Sequence, residues 1–207
     1  MVQWVEIDDP IEYLAALKMM EARLYKVVDQ PELETVFILE HQDVYTAGVS
    51  FEPTELLNHG KIPVYYVGRG GKFTYHGPGQ VVIYPILNLS NNGREKDIRK
   101  YISNLELLVI NSLKFFNIKS FVIPGKIGVW VKTKFKEQKI AAIGVRIHKW
   151  VTYHGAAINI CPDMKKFAGI IPCGMDNSTV TSTRELGVEV DLCYYKTILK
   201  QEFHKIF

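Results

Sequence analysis

The cysteines of this chain include one whose neighbours suit a nucleophile. Cys173 stands between a proline and a glycine, whereas Cys161 ends an apolar run and Cys193 lies in a helical pattern beside core residues. The proline fixes the backbone that leads into Cys173, the glycine leaves space beside the sulfur, and a backbone N–H next to such a small residue can stabilise an oxyanion. Because a single cysteine is most often a buried structural residue, that role stays open as the alternative.

A thiol reacts as a thiolate, so Cys173 needs a neighbouring cation or base that lowers its pKa from about 8.5. Five side chains qualify by type and setting: Lys139, Arg146, His76, His148 and His154. Lys139 begins an apolar run, so its ammonium group points either to solvent or inward at a site. His76 and His154 each follow a tyrosine and precede a glycine, a pattern that fits either two walls of one pocket or two surface loops.

A glycine-rich segment from Arg69 to Gln80 has the pattern of a binding loop. Five glycines stand between positions 68 and 79, and apolar runs flank the segment at 62–67 and 81–89. Glycine lets a ligand approach the main chain closely. The segment lacks G-x-G-x-x-G spacing, a strand rather than a helix is predicted after it, and the chain has no Walker A motif. The sequence therefore predicts a binding loop of a different kind from a dinucleotide site.

Composition excludes several classes of function. The 207 residues are 47% hydrophobic, and 25 basic against 22 acidic residues give a net charge of +3. This length fits one compact domain over residues 1–207, or at most one domain with a small appendage, and the weak charge provides neither a nucleic-acid arm nor a polybasic membrane patch. The longest apolar run, 81–89, is too short to span a bilayer, and no signal peptide is visible.

The three cysteines also bear on the compartment. An odd number without a C-x-x-C pair argues against a disulfide scaffold and against structural zinc. The histidines offer no complete set of metal ligands at suitable spacing, so no metal is expected. These features indicate a cytoplasmic protein in which a free thiol can remain a nucleophile.

Hydrophobic periodicity predicts three helices and a series of strands. The helices are expected over Pro10–Val28, over Lys96–Phe116 and from Asp191 onward, with Asp9 as the N-cap of the first. Strands are expected at Val36–Leu39, Ile62–Val67, Val81–Leu89, Ser120–Ile123, Ile127–Lys132, Lys139–Ile147 and Val151–Ile160. Asp43–Leu57 shows no clear period and is predicted as loop. Helices at both ends and hairpin-connected strands between them predict an α+β fold rather than a Rossmann alternation.

Several motifs resemble those of the lipoyl(octanoyl) transferases, which are octanoyl-[acyl-carrier-protein]:protein N-octanoyltransferases. The glycine loop Arg69–Gln80 is similar to the family's signature, and Lys139–Arg146 is similar to its lysine motif. The other matches follow in the family's order: Gly125–Trp130, Trp150–Asn159, Ile171–Gly174 and Val180–Ser182. Several motifs in the right order are far more specific than one glycine loop.

The resemblance implies a fold like that of biotin and lipoate protein ligases, a mixed, largely antiparallel β-sheet with flanking helices. It implies that Cys173 is the nucleophile and that Lys139 lowers its pKa. It also implies three segments that bind the acyl substrate: Arg69, Gly70, Gly71, Lys72, Phe73, Thr74, Tyr75 and His76; Ala142, Ile143 and Gly144; and Gly155, Ala156 and Ala157.

A reaction and its partners follow from the same resemblance. Octanoyl-acyl carrier protein is expected to donate the acyl group to Cys173, and a lysine of an apo lipoyl domain to accept it, as the first step of endogenous protein lipoylation. The expected acceptors are the lipoyl domains of 2-oxoacid dehydrogenase complexes and the glycine cleavage H protein. No cofactor is expected, because passing an acyl group from one sulfur to another is close to thermoneutral. A monomer is expected.

Alternatives share parts of this pattern. An ATP-dependent lipoate or biotin protein ligase on the same fold would activate a free acid as an acyl-adenylate, and would need phosphate-binding groups rather than a thiol. A non-catalytic module that binds acyl chains or docks a carrier protein would keep the glycine pocket without needing a nucleophile. Transfer from an octanoylated carrier protein of another pathway would differ only in the donor. The presence of both Cys173 and Lys139 favours the transferase.

Overall fold

The fold is taken from a computed structural model, which describes residues 2–172 and 179–207. The described residues form three helices: α1 (Tyr13–Asp29), α2 (Ile98–Lys114) and α3 (Leu192–Ile206). They also form ten strands: β1 (Gln3–Glu6), β2 (Thr35–Leu39), β3 (Val44–Ala47), β4 (Val64–Tyr66), β5 (Phe73–His76), β6 (Gln80–Ile86), β7 (Ser120–Ile123), β8 (Lys126–Lys132), β9 (Glu137–His148) and β10 (Val151–Asn159).

The strands form one large and one small sheet. The large sheet has seven strands in the order β1-β2-β6-β10-β9-β8-β7, and only its β1–β2 pair is parallel. The small sheet has the order β4-β3-β5, with β3 parallel to β4 and antiparallel to β5. The prediction of an α+β fold with a mixed, largely antiparallel sheet is therefore confirmed.

Helices cover both faces of the large sheet, which explains why its central strands are buried throughout. On one face, Val82 and Tyr84 of β6 belong to a core cluster with Met20 and Val27 of α1. On the other face, the alternate β6 residues belong to a second cluster with residues of α2 and α3. Because successive strand side chains point to opposite faces, a strand buried on both sides has no polar alternation.

The start of the first helix differs from the prediction. Asp9 does not cap α1, which begins at Tyr13, and Glu12 at the N-cap position makes no side-chain capping bond. The chain instead pairs with the segment that follows β2: the N–H of Ile11 donates to Glu40 O, and the N–H of Gln42 donates to Ile11 O. Since both backbone groups of Ile11 serve this bridge, the helix begins after it.

The prediction that Asp43–Leu57 is loop is wrong for residues 44–47. Residues 44–47 form β3, the central strand of the small sheet, and residues 73–76 of the glycine segment form β5 beside it. Tyr45 of β3 is buried in a cluster with Phe73 and Phe167. This packing depends on residues far away in the sequence, so a short segment without local period still becomes a strand.

Candidate functional site

A narrow cavity lies where the glycine segment meets the middle of β6, β9 and β10. We call it the inner cavity; its volume is about 50 Å³. Thirteen of the fourteen predicted substrate-binding residues line it, together with four others that sequence reasoning did not assign to substrate binding: Tyr13, Val82, Tyr84 and His154. The remaining predicted residue, Tyr75, does not line it, and its hydroxyl donates to Asp43 Oδ1 at 2.6 Å. The structure thus brings together three segments that are distant in sequence.

Two glycines keep the inner cavity open where the backbones pass closest. Gly155 of β10 pairs with Gly144 of β9. A Cβ on Gly155 would lie 2.1 Å from Ile83 O, and one on Gly144 would lie 2.9 Å from Gly70 O. Neither space admits even a methyl group without movement of the main chain, so glycine is required at both positions.

Arg69 holds the glycine segment together through hydrogen bonds to the backbone. Its guanidinium is buried and donates to Thr46 O at 2.7 Å, to Lys72 O at 2.9 Å and to Gly70 O at 2.9 Å. These carbonyl oxygens lie on β3 and on the loop itself. A fixed fork of donors holding several carbonyls makes the loop a preformed wall of the inner cavity.

Three buried histidines lie around the inner cavity and are held neutral. Burial lowers the pKa of His41 to about 4. Burial, with the nearby Arg69 and Arg146 charges, lowers the pKa of His154 to about 3. Burial, with the charges of His41 and Arg69, holds the pKa of His76 well below its usual range. At neutral pH this end of the site is therefore polar but carries no imidazolium.

Hydrogen bonds fix two of these rings. His41 Nδ1–H donates to Ile11 O at 3.2 Å, so its Nε2 accepts from the hydroxyl of Tyr84 at 2.7 Å. His76 Nδ1–H donates to Gln80 Oε1 at 3.1 Å. Gln80 Nε2 in turn donates to Asn159 Oδ1 at 2.9 Å. This network ties the end of β5 to the end of β10.

Lys139 points inward, which answers the question that its sequence position left open. It is only 5% exposed; its Nζ donates to Ile127 O at 2.9 Å and lies 5.0 Å from the ring centroid of Trp130. It lines a larger depression of about 560 Å³, which we call the outer groove. The outer groove and the inner cavity share five residues: Gly70, Gly71, Lys72, Ile143 and Gly144. An elongated ligand can therefore extend from Lys139 into the inner cavity.

Cys173 lies outside the described residues, but its flanks contact the site. Before it, the N–H of Ile171 donates to Glu55 O at 2.7 Å, and the carboxylate of Glu55 pairs with Lys72. After it, Val180 forms a β-bridge with Lys139, and the N–H of Thr181 donates to Lys139 O at 3.0 Å. The described end after position 173 is thus attached to Lys139, which lines the outer groove, and the end before it is attached through Glu55 to Lys72, which also lines it.

The other cysteines and cations lie elsewhere. Cys161 is half-buried and Cys193 is exposed, and neither lines the inner cavity or the outer groove. Arg146 and His148 are exposed and line neither space. Within residues 2–172 and 179–207, no group of three His, Cys, Asp or Glu side chains could hold a metal ion. No helix in the same part of the chain is long and apolar enough to cross a membrane.

Comparison with known proteins shows the family of this chain. The lipoyl protein ligase A/B catalytic domain matches residues 12–204. An octanoyltransferase of Orientia tsutsugamushi (strain Boryong) is 62% identical over 208 residues, which cover 100% of both chains. One of Rickettsia felis is 53% identical, again over 100% of both. This chain belongs to the octanoyltransferase family. Membership makes it an acyltransferase with a lipoate-related function, as the motif resemblance implied.

Solved structures extend the family's fold to ligases. A putative lipoate protein ligase from T. acidophilum superposes with a TM-score of 0.78 at 16% identity, covering 99% of this chain and 85% of that one. A biotin protein ligase from Aquifex aeolicus, in complex with biotin and ATP, gives a TM-score of 0.59 at 12% identity, with coverages of 99% and 70%. The predicted likeness to the fold of biotin and lipoate protein ligases is confirmed.

Proposed function

We propose that this protein transfers an octanoyl group from octanoyl-acyl carrier protein to a lysine of an apo lipoyl domain, through a thioester on Cys173. The observation that carries the proposal is the placement of Lys139. This buried lysine lies in the outer groove, next to the mouth of the inner cavity, and its strand pairs with the segment that follows Cys173. A lysine in that place can meet both the acyl group and the sulfur.

In the first half-reaction, the Cys173 thiolate attacks the carbonyl carbon of the donor thioester. The Sγ–C bond forms, the bond to the carrier's sulfur breaks, and that sulfur leaves as a thiolate that takes a proton from Lys139, which becomes a neutral amine. The Lys139 ammonium stabilises the attacking thiolate. One thioester replaces another, so no ATP is required.

In the second half-reaction, the ε-amine of the acceptor lysine attacks the octanoyl thioester. An amide bond forms, the Cys173 sulfur leaves, and the amine gives up one proton. Lys139, acting as a neutral amine at this stage, is placed to take that proton. The two-step route lets two protein partners visit one site in turn.

The shapes of the two spaces suit an acyl chain attached to a long arm. The inner cavity is small and includes the apolar side chains of Ala142, Ala156, Ala157 and Val82, so it suits the end of the octanoyl chain. The outer groove is more than ten times larger and is lined partly by Ile98, Ile102 and Ile127. It suits the rest of the chain and the arm of the carrier protein.

The proposal includes the expected setting of the reaction. We infer a cytoplasmic, monomeric enzyme consisting of one catalytic domain over residues 1–207, without a cofactor. The acceptors are the lipoyl domains of 2-oxoacid dehydrogenase complexes and the glycine cleavage H protein. A solved neighbour of the same fold, described as a bi-partite lipoate protein ligase of Thermoplasma acidophilum, was determined together with its E2 lipoyl domain.

The test is transfer to an apo lipoyl domain, followed by the mass of that domain. With octanoyl-acyl carrier protein and no ATP, wild type should add one octanoyl group, and Cys173→Ser should add none. Cys193→Ser is the matched control, because this exposed thiol lies away from the site, and it should retain activity. Modification only with free octanoate and ATP would instead identify a ligase, and no modification under either condition would leave a binding module.

A further inference from the structure

Two polar atoms of the inner cavity have no hydrogen-bond partner within the part of the chain that the structure describes. They are the hydroxyl of Tyr13 and Nδ1 of His154. Tyr13 is 3% exposed and His154 is 2% exposed, so bulk water does not reach them. Buried polar groups in folded proteins are almost always hydrogen-bonded, and two orphans in one cavity point to a ligand atom or an ordered water.

The backbone of His154 adds an independent sign. His154 lies within β10, yet its φ is +57°, a left-handed conformation that costs a non-glycine residue energy. The ring is held by the neighbouring aromatics: it stacks on Tyr153 at 4.9 Å and meets Tyr84 edge-on at 6.1 Å. Strain and an unmet hydrogen bond at the same residue are typical of a functional position.

Both side chains lie in the part of the inner cavity that the outer groove does not share. Neither Tyr13 nor His154 lines the outer groove, whereas Gly70, Ile143 and Gly144 line both spaces. An acyl chain whose carbonyl is near Lys139 would pass these shared residues first. Only after them could its terminal carbons reach Tyr13 and His154.

We propose that Tyr13 and His154 form a polar end wall that holds one hydrogen-bonding atom beyond the last carbon of the acyl chain. With octanoyl bound, that atom belongs to a water molecule. A chain with two more methylenes would displace the water and leave both polar atoms buried against hydrocarbon, which is unfavourable. A chain with a terminal hydroxyl would replace the water with its own oxygen. The end wall therefore selects against longer apolar chains and admits an ω-hydroxyl group.

The electrostatics favour a neutral occupant. Burial, with the Arg69 and Arg146 charges, lowers the pKa of His154 to about 3, so the ring stays neutral. Burial raises the pKa of Tyr13 to about 12, so its phenol keeps its proton. A neutral phenol and a neutral imidazole suit a water or an alcohol, each of which can both donate and accept.

The inference rests on the proposed function and is tested by the rate of acyl-enzyme formation with three acyl carrier protein thioesters. These carry octanoyl, decanoyl and 8-hydroxyoctanoyl groups. Tyr13→Phe removes one polar atom and keeps the ring. It should raise the decanoyl-to-octanoyl rate ratio about tenfold and lower the 8-hydroxyoctanoyl-to-octanoyl ratio about tenfold. His154→Asn, whose side chain tolerates positive φ, should also raise the decanoyl ratio.

Tyr195→Phe is the matched control. It also removes a buried tyrosine hydroxyl, but this one bonds Ser112 Oγ at 2.8 Å in the core between α2 and α3. For Tyr195→Phe, the decanoyl-to-octanoyl and 8-hydroxyoctanoyl-to-octanoyl rate ratios should equal those of wild type. Identical decanoyl-to-octanoyl and 8-hydroxyoctanoyl-to-octanoyl ratios for Tyr13→Phe and Tyr195→Phe, each taken relative to that variant's own octanoyl rate, would refute the end wall without affecting the proposed function. Failure of wild type to form any octanoyl-enzyme would overturn the proposed function, and the end wall with it.

Discussion

Acid should destabilise this protein through the histidines around the inner cavity. His41, His76 and His154 are buried, and burial holds the pKa of each below its usual value. As the pH falls, the unfolded chain takes up protons on these groups first, while the folded protein does not. The free energy of unfolding should therefore fall as the pH drops through about 6.5, and should continue to fall until the folded-state pKa values are reached.

The size of the effect follows from the pKa differences. A shift of one pKa unit corresponds to about 1.4 kcal/mol. For His41, the pKa falls from 6.5 in a model compound to about 4 in the fold. At about pH 5, which is roughly one and a half units below the unfolded-state value, His41 alone should cost about 2 kcal/mol of stability relative to neutral pH. The lower pKa of His154 gives a similar loss, so the two together remove about 4 kcal/mol from a stability that is typically about 5–15 kcal/mol.

Urea unfolding at about pH 7.5 and about pH 5 measures this loss. Carboxylates also titrate in this range, so the informative quantity is the difference between variants. His41→Gln should lose about 2 kcal/mol less than wild type between the two pH values, although it is less stable at both. His148→Gln removes an exposed histidine and should match the wild-type loss. Equal losses for wild type, His41→Gln and His148→Gln would refute the reasoning.

Other substitutions test separate parts of the account. Lys139→Ala should slow both half-reactions about 100-fold or more, as measured by single-turnover acylation and deacylation; an unchanged rate and pH profile would show that the lysine role is wrong. Gly155→Ala places a Cβ 2.1 Å from Ile83 O, so it should cost at least about 1–3 kcal/mol in urea unfolding and block acylation; a stable, active variant would contradict the close packing. Glu34→Gln leaves the nearly buried Arg94 guanidinium without its carboxylate and should lower the free energy of unfolding in urea by about 3 kcal/mol. A variant as stable as wild type would mean that the ion pair contributes nothing to stability.

Local signals were enough to predict the helices and the central strands. The helical pattern of apolar residues in α2 begins directly after Asp97. The Asp97 carboxylate accepts hydrogen bonds from the N–H groups of Arg99 and Lys100. Asp191 caps α3 in the same way, by accepting from the N–H of Tyr194. These elements are determined by residues next to them in the sequence, so periodicity and capping residues locate them within a few positions.

Elements that depend on distant partners were missed. β3 has no local period, because all four of its residues are buried rather than alternating with solvent; Tyr45 and Ala47 pack in one cluster with Phe73 and Phe167. The same holds for Tyr13, which reaches the inner cavity from α1 and stacks over the ring of His76 with centroids 6.3 Å apart. No residue near Tyr13 in the sequence signals that contact, and only the folded arrangement brings α1 to the glycine segment.

The sequence predicted the separate motifs of the site but not how their residues are arranged in space. The spacing of the glycines indicated that the glycine segment is a binding loop. The structure places its residues beside Ala142–Gly144 and Gly155–Ala157 around one cavity. Sequence spacing left the direction of Lys139 open, since a lysine at the start of a strand can face either side. The burial of Lys139 and the hydrogen bond from its Nζ to Ile127 O on the neighbouring strand β8 show that it points inward.

The central claim is a thioester on Cys173, and the mass of the intact protein tests it most directly. Wild type and Cys173→Ser are each incubated with octanoyl-acyl carrier protein, without ATP and without an acceptor. The account predicts a gain of one octanoyl group on wild type only, and its removal by hydroxylamine, which cleaves thioesters. The absence of an adduct on wild type, or an equal adduct on Cys173→Ser, would contradict the account.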